Sequence, residues 1–355
     1  GGFVVTWEDH SSGSHGGTLH DVYGQRFDSN GVSVGDEFRV NETQVSGYQY
    51  TPEVVGLSNG GFAISWRDDD GSSHNDGTGV GSGYDVWMRV FDAQGSEVAG
   101  EFRVNEAHVS GSQYEPALAS LSNGNFIITW RDSGGSSHDD GTGTGSSNDV
   151  WARIFAPDGT EVAGEFRINS YISSSQYEPE VVGLKDGGFV VTWRDDNGGS
   201  HGGSGYDIRA QRFNVNSDPA GTEFLVNATQ VSGNQYDPAV IGLKDGGFVV
   251  TWRDDSGQGG SSYEVRAQVF DQNSDPIGIS FGVNTYKSDS QYQADVAALE
   301  DGGFVVTWLS QGQDGSGHGV YGQRYNANGQ VVDGEFRVNT YTSSNQYEPS
   351  VAGLE

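Results

Sequence analysis

The sequence predicts an all-β fold, a six-bladed β-propeller of four-stranded antiparallel blades. Three observations carry this expectation: a strand motif that returns six times, hairpin-type turn residues beside the copies, and no sustained helical periodicity in a chain with 56 glycines. The motif reads Gly-Gly-Phe-Val-Val-Thr-Trp at Gly1–Trp7, and its tryptophan recurs as Trp66, Trp130, Trp193, Trp252 and Trp308. Successive tryptophans lie 59, 64, 63, 59 and 56 residues apart. A coil of a parallel β-helix takes roughly 20 to 30 residues and an immunoglobulin-like sandwich about 100, so neither fits this step.

Each unit holds four strand-like runs. The first, as in Pro52–Leu57, follows a Gln-Tyr pair and ends at Ser-Asn-Gly-Gly, Lys-Asp-Gly-Gly or Glu-Asp-Gly-Gly. Asn-Gly and Asp-Gly tolerate positive φ, the requirement of a tight hairpin. The second is the Gly-Phe-Val-Val-Thr-Trp run, apolar on both faces and therefore expected between neighbouring sheets. The third starts at Asp21, Asp85, Asp149, Asp207, Glu264 and Gly319. The fourth is a short Glu-Phe-Arg-Val-Asn run at Glu37, Glu101, Glu165 and Glu335, whose outward arginine suits an edge strand.

The two termini read as halves of one unit. The chain closes on QYEPSVAGLE and opens on GGFVVTW, pieces that stand side by side from Gln176 to Trp193. The C-terminal segment is therefore expected to supply the first strand of the N-terminal blade, with Val351 beside Val4, so that residues 1–355 form a single closed domain.

Composition narrows the function. At 34% hydrophobic and 12% aromatic, 355 residues can bury a core. With no cysteine there is neither a disulfide framework nor a thiolate site. A net charge of −31, from 49 acidic and 18 basic residues, repels nucleic acid and anionic membrane surfaces and attracts cations. No apolar run approaches the roughly 18 to 20 residues of a membrane span, so membrane insertion is not expected. The chain begins with Gly rather than Met and reads as a piece of something longer.

The loops between second and third strands vary in length from one unit to the next and hold acidic clusters: Asp68, Asp69 and Asp70; Asp132; Asp195 and Asp196; Asp254 and Asp255. Asp85, Asp149 and Asp207 stand where the third strands begin. Carboxylates among glycines and serines are hard oxygen donors suited to Ca²⁺, and these eleven residues are the candidate metal ligands. No strict loop motif is met: an EF-hand counted from Asp68 places Gly79 where its glutamate belongs, and the nonapeptide-like stretch Gly202–Asp207 is followed by Arg209 instead of an aliphatic residue. Solvated loop acids and Asx turns are the other reading.

His10, His15, His20, His74, His138, His201 and His318 lie in the same loops and His108 in a crossover; without fixed spacing they read as surface residues rather than a zinc site. Tyr50, Tyr114, Tyr177, Tyr236, Tyr292 and Tyr347 form the Gln-Tyr series, either a stacking ring for sugars or packing between blades. Arg67, Arg131, Arg194 and Arg253 are expected to pair with carboxylates. No Ser-His-Asp set or metal triad is confined to one unit. Glu115, Glu178 and Glu348 offer acid pairs for glycoside cleavage, as any acidic protein does.

The series Gly-Gly-Phe-Val-Val-Thr-Trp, Asp/Gly-rich loop, Val-Tyr-Gly-Gln-Arg-Phe-Asp and Gly-x-Glu-Phe-x-Val-Asn, best at Gly1–Asn41 and Gly302–Asn339, resembles the tandem repeats of very long secreted bacterial proteins of the RTX, hemolysin-type calcium-binding and giant-adhesin kind. The resemblance implies an extracellular setting, calcium, and attachment to a cell-surface or matrix glycan or protein. The expectation is a non-catalytic, calcium-stabilised binding module; the alternatives are a polysaccharide lyase or glycoside hydrolase with its site at the channel mouth, and an architectural repeat of a surface filament or layer.

Overall fold

The computed structural model describes residues 2–10, 20–42, 47–69, 83–107, 111–134, 148–172, 174–196, 205–257, 260 and 263–353. Among them are 23 strands and no helix. The chain divides into two compact units, Gly1–Val181 and Val182–Glu355.

Six antiparallel sheets follow one another along the chain, each a simple up-and-down meander. In the first unit they are β1 (Phe3–Asp9), β2 (Asp21–Phe27) and β3 (Ser33–Arg39); β4 (Tyr48–Gly56), β5 (Phe62–Asp69), β6 (Asp85–Phe91) and β7 (Glu97–Arg103); then β8 (Gln113–Ser120), β9 (Phe126–Asp132), β10 (Asp149–Phe155) and β11 (Glu161–Arg167). The unit boundary passes through β12 (Ser175–Gly183), which opens the sheet continued by β13 (Phe189–Asp196), β14 (Asp207–Phe213) and β15 (Phe224–Leu225). The last two sheets are β16 (Gln235–Gly242), β17 (Phe248–Asp254), β18 (Glu264–Phe270) and β19 (Pro276–Gly282), and β20 (Gln291–Ala298), β21 (Phe304–Gln311), β22 (His318–Tyr325) and β23 (Val331–Arg337).

The tryptophan strands are buried because, within each unit, neighbouring sheets pack on one another. Trp66 lies with Val22 and Val40 of the first sheet, and Trp130 with Val86, Met88 and Val104 of the second. In the second unit Trp252 packs on Ile208 and Val226, and Trp308 on Val265 and Val283. All four indoles have no exposed surface. Buried arginines clamp the same seams: Arg89 of β6 donates to the carbonyl of Val40 at 3.0 Å and pairs with Glu97 and Glu42, and Arg153 of β10 repeats this with Val104, Glu161 and Glu106.

The first strands β4, β8, β16 and β20 carry a bulge just after the Gln-Tyr pair, where the register slips, as between Tyr50 and Glu53 or Tyr236 and Ala239. The bulged residue is left-handed although it is not glycine: Thr51, Glu115, Glu178, Asp237 and Gln293, and likewise Glu348, have φ between 48° and 55°. Such a conformation persists only where surrounding hydrogen bonds hold it. Here Thr51 N–H donates to Glu8 and Glu178 N–H donates to Glu115, both at 2.7 Å.

The termini differ from expectation. The first sheet has three strands, and residues 347–353 are not in a ladder, so the pairing of Val351 with Val4 is not formed. The C-terminal segment instead lies along β20, its Val351 N–H donating to Asp295 at 2.8 Å. This is the side-by-side relation that first strands of adjacent sheets have to one another, not the ladder within a sheet. Paired with β2 on one side only, β1 leaves Phe3 51% exposed, whereas its counterparts Phe126, Phe248 and Phe304 are fully buried.

Candidate functional site

Second strands run on past their tryptophan through Arg-Asp, so residues expected in loops end in sheets. Asp68 faces Asp85 across β5 and β6, Asp132 faces Asp149, Asp195 faces Asp207, and Asp254 faces Glu264. All but Asp85 are buried. The structure supplies them with partners that sequence reasoning missed, the asparagine closing each fourth strand and the glutamine preceding each tyrosine. Asn41 accepts the Val22 N–H at 2.9 Å and donates to Asp21 at 2.8 Å and Gln49 at 3.0 Å; Gln49 then donates to Asp68 at 3.1 Å. Asp85, Asn105, Gln113 and Asp132 repeat the chain, as do Asp149, Asn169 and Gln176. In the second unit Asp207, Asn227, Gln235 and Asp254 do so. Each of these asparagines uses both its N–H groups and its oxygen, so the one side chain ties a strand backbone, a carboxylate and a glutamine together. The signal was legible in principle, since Asn and Gln recur at these places along the repeats.

Burial pushes the Asp68 carboxyl up to about 8, against the hydrogen bond from Gln49, and the charges of Asp85, Glu101 and Asp69 add to the rise. Burial also raises Asp207, opposed by Asn227 and Arg209. Of the other candidate ligands, Asp195 is paired with Arg209 at 2.7 Å, Asp255 accepts from Asn234 at 2.9 Å, Asp196 is exposed, Asp69 ends β5, and Asp70 lies outside the described residues. His15, His74, His108, His138 and His201 also lie outside them.

The Gln-Tyr series and the Trp-Arg series come together. In the first unit the Arg67 guanidinium stands over Tyr84 at 4.5 Å and Tyr50 at 4.8 Å, with Tyr114 at 5.6 Å. Arg131 stands over Tyr114 at 4.2 Å and Tyr177 at 5.3 Å, and its Nε pairs with Glu115 at 3.0 Å. In the second unit Arg194 lies over Tyr206 and Tyr236, and Arg253 over Tyr236 and Tyr263, with Asp237 pairing at 2.9 Å. Tyr292 and Tyr347 flank His318 instead, each at 5.8 Å. The tyrosines alternate with arginines as rungs, half-buried except for Tyr347, which is 63% exposed. Burial raises the phenols of Tyr50, Tyr84 and Tyr236, which keeps them as neutral O–H donors. The arrangement presents flat rings, guanidinium planes and hydroxyls on one face of each unit.

No protein-family model matches the sequence, and no curated protein is similar to it. Solved structures are similar in fold. A protein of unknown function from Dyadobacter fermentans superimposes with a TM-score of 0.53 at 11% identity, over 87% of each chain. The NanB sialidase of Streptococcus pneumoniae gives 0.54 at 9%, over 85% of this chain and 63% of its own. An α-L-arabinanase of Penicillium chrysogenum, solved with arabinobiose, gives 0.51 at 15%, over 88% and 85%. The fold is a six-bladed β-propeller. The chain thus spans less than two thirds of the sialidase and most of the arabinanase.

These neighbours correct the expectation of a non-catalytic module: propellers bearing the names of glycosidases share this architecture. That expectation rests on repetition of the blades, and the repetition is itself imperfect. In the first blade Glu8 stands where Arg67, Arg131, Arg194 and Arg253 stand elsewhere. No helix among the described residues is long and apolar enough to cross a membrane.

Proposed function

We propose that this chain is a secreted, carbohydrate-active propeller that binds a neutral polysaccharide strand along its tyrosine–arginine rungs and hydrolyses its glycosidic bonds. The observation that carries the reading is the rung pattern itself, in which Tyr50, Arg67, Tyr84, Tyr114, Arg131 and Tyr177 succeed one another in the first unit. Sugar rings stack their C–H faces on aromatic planes, and the phenolic hydroxyls supply orienting hydrogen bonds. A neutral glycan follows from charge: Arg131 and Arg253 already face Glu115 and Asp237, and a net −31 repels anionic chains. The sialidase and arabinanase neighbours support glycans as the ligand class. Glu115 and Glu178 stand on the same bulges as the tyrosines and are the carboxylates offered for acid–base work.

Calcium belongs to the same proposal. Asp68 Oδ2 and Asp207 Oδ2 are buried without a hydrogen-bond partner, the chemistry that a hard cation satisfies. Asp68 with Asp85 would hold one ion in the first unit, and Asp207 another in the second.

An array of neutral plant and bacterial polysaccharides, followed by a reducing-end assay on those retained, tests the reading. Retention with release of reducing ends is expected. Tyr114→Ala should weaken retention about tenfold, the loss of one stacking contact. Neither retention nor product on any neutral polysaccharide overturns the proposal.

A further inference from the structure

We propose that Glu8, His10 and His20 form a three-ligand site for a divalent transition metal of the Zn²⁺ class. The proposal is independent of the glycan reading. Their nitrogen and oxygen ligand atoms lie within 4.8 Å of one another. Glu8 Oε2 is 3.3 Å from His10 Nε2, and the His10 and His20 rings are stacked with centroids 3.9 Å apart. In a tetrahedral site with bonds of about 2.0 to 2.2 Å, neighbouring ligand atoms stand about 3.3 to 3.6 Å apart. The Glu8–His10 pair already has that spacing, and a His20 nitrogen lies within 4.8 Å of both.

Two further observations point to a ligand. His20 Nδ1 is buried and has no hydrogen-bond partner, a costly state for an imidazole nitrogen and one that a metal bond removes. The trio is also held in place from behind, as metal ligands are. Glu8 Oε1 accepts the Thr51 N–H at 2.7 Å, the His20 carbonyl accepts the Gln49 N–H at 3.1 Å, and Tyr48 and Tyr50 pack edge-on against the His20 ring.

Comparison with the second blade shows what sets this cluster apart. In the second blade the equivalent positions are Arg67, Asp69 and Tyr84, and the guanidinium stands over the tyrosine ring. The first blade exchanges all three at once: arginine for glutamate, aspartate for histidine, tyrosine for histidine. The three departures touch one another, and together they convert a cationic stack into one carboxylate and two imidazoles. That donor set is borderline-soft, which favours Zn²⁺ and its neighbours over the all-oxygen preference of Ca²⁺. Three protein ligands leave a fourth position for water or a ligand atom. Spacing along the chain hides the trio, because ten positions separate the two histidines and only the pairing of β1 with β2, Asp9 opposite Asp21, brings them together.

Titration of the whole chain with Co²⁺, read by visible absorption, and competition by Zn²⁺ test the proposal. One equivalent is expected, with the intense absorption of a four-coordinate site and no displacement by excess Ca²⁺. His10→Ala, at an exposed position, and Glu8→Gln should each weaken Zn²⁺ binding by about 100-fold, the top of the range for losing a mere supporting contact. His318→Ala and His15→Ala should leave it unchanged, and the metal-free melt of His10→Ala, at the exposed position, should match the parent. Absence of Zn²⁺ binding, affinity unaltered in the His10→Ala/His20→Ala double variant, or loss of binding in His15→Ala overturns the assignment.

Discussion

Replacing Asp68 by asparagine should make the protein more stable in alkali and leave it unchanged in acid. The side chain is 2% exposed, accepts one hydrogen bond from Gln49, and faces the negative charge of Asp85. Its pKa rises from 3.8 in the open chain to about 8 in the fold. A group raised in this way favours the protonated fold, so its contribution is fully present below about pH 4 and is lost as pH climbs to about 8. Taken at 1.36 kcal/mol per pH step, the ionised carboxylate costs the fold on the order of 5 kcal/mol above pH 8. The asparagine side chain has nearly the same shape, retains an acceptor for Gln49 and carries no charge. For a unit the size of Gly1–Val181, each kcal/mol moves the melting temperature by about 2 to 4 °C. The variant should therefore melt roughly 10 °C higher than the parent at about pH 9, and within about a degree or two of it at about pH 4. Melts across that range on both proteins isolate this one carboxyl, because every other titrating group is shared. A difference that is flat in pH, or one that favours the parent in alkali, refutes the reasoning. Adding Ca²⁺ on the alkaline side separates the two ways of relieving the charge: if the ion binds at Asp68, it raises the parent's midpoint and not the variant's.

Three other outcomes follow from the seams between blades. Asn105→Ala removes the hub joining Asp85, Gln113 and the Val86 N–H, and should cost about 2 to 4 kcal/mol in urea unfolding, more than any exposed asparagine such as Asn30. Arg89→Ala strands the Val40 carbonyl and the Glu97 carboxylate and should cost about 3 kcal/mol, whereas Arg89→Met, which keeps an unbranched apolar stem in this buried position, should recover part of it. Trp130→Ala should cost about 3 to 5 kcal/mol, and Trp7→Ala clearly less, since Trp7 is only half-buried in a three-stranded sheet. Equal losses for the two tryptophans would mean that the first blade is covered in solution.

The architecture was legible because its signals are local. The Phe-Val-Val-Thr-Trp runs are apolar on both faces, and positive-φ glycines such as Gly60, Gly124 and Gly187 sit in the turns where Asn-Gly and Asp-Gly pairs stand. Less legible were the ends of strands, where Arg-Asp has the composition of a loop but belongs to a strand. Asp68, Asp132 and Asp254 therefore read as solvated acids, although their burial depends on Gln49, Gln113 and Gln235 arriving from a strand 19 residues earlier. The fourth strand of the fourth blade shrinks to Phe224–Leu225, because Pro219 and Gly221 stand just ahead of Glu223–Asn227, where the other blades continue the strand. The tyrosine–arginine rungs needed two series, each seen separately, to be set in register by pairing such as Tyr50 with Arg67. Glu8, His10 and His20 were hidden for the same reason.

The left-handed residue after each tyrosine has a further consequence. Threonine, glutamate, aspartate and glutamine all occupy it with nearly the same φ, so the backbone there is dictated by its surroundings and is indifferent to which side chain it carries. A single geometry can thus display different chemistry blade by blade. Recognition on this surface is open to revision one position at a time, by evolution or by design, without touching the framework that supports it.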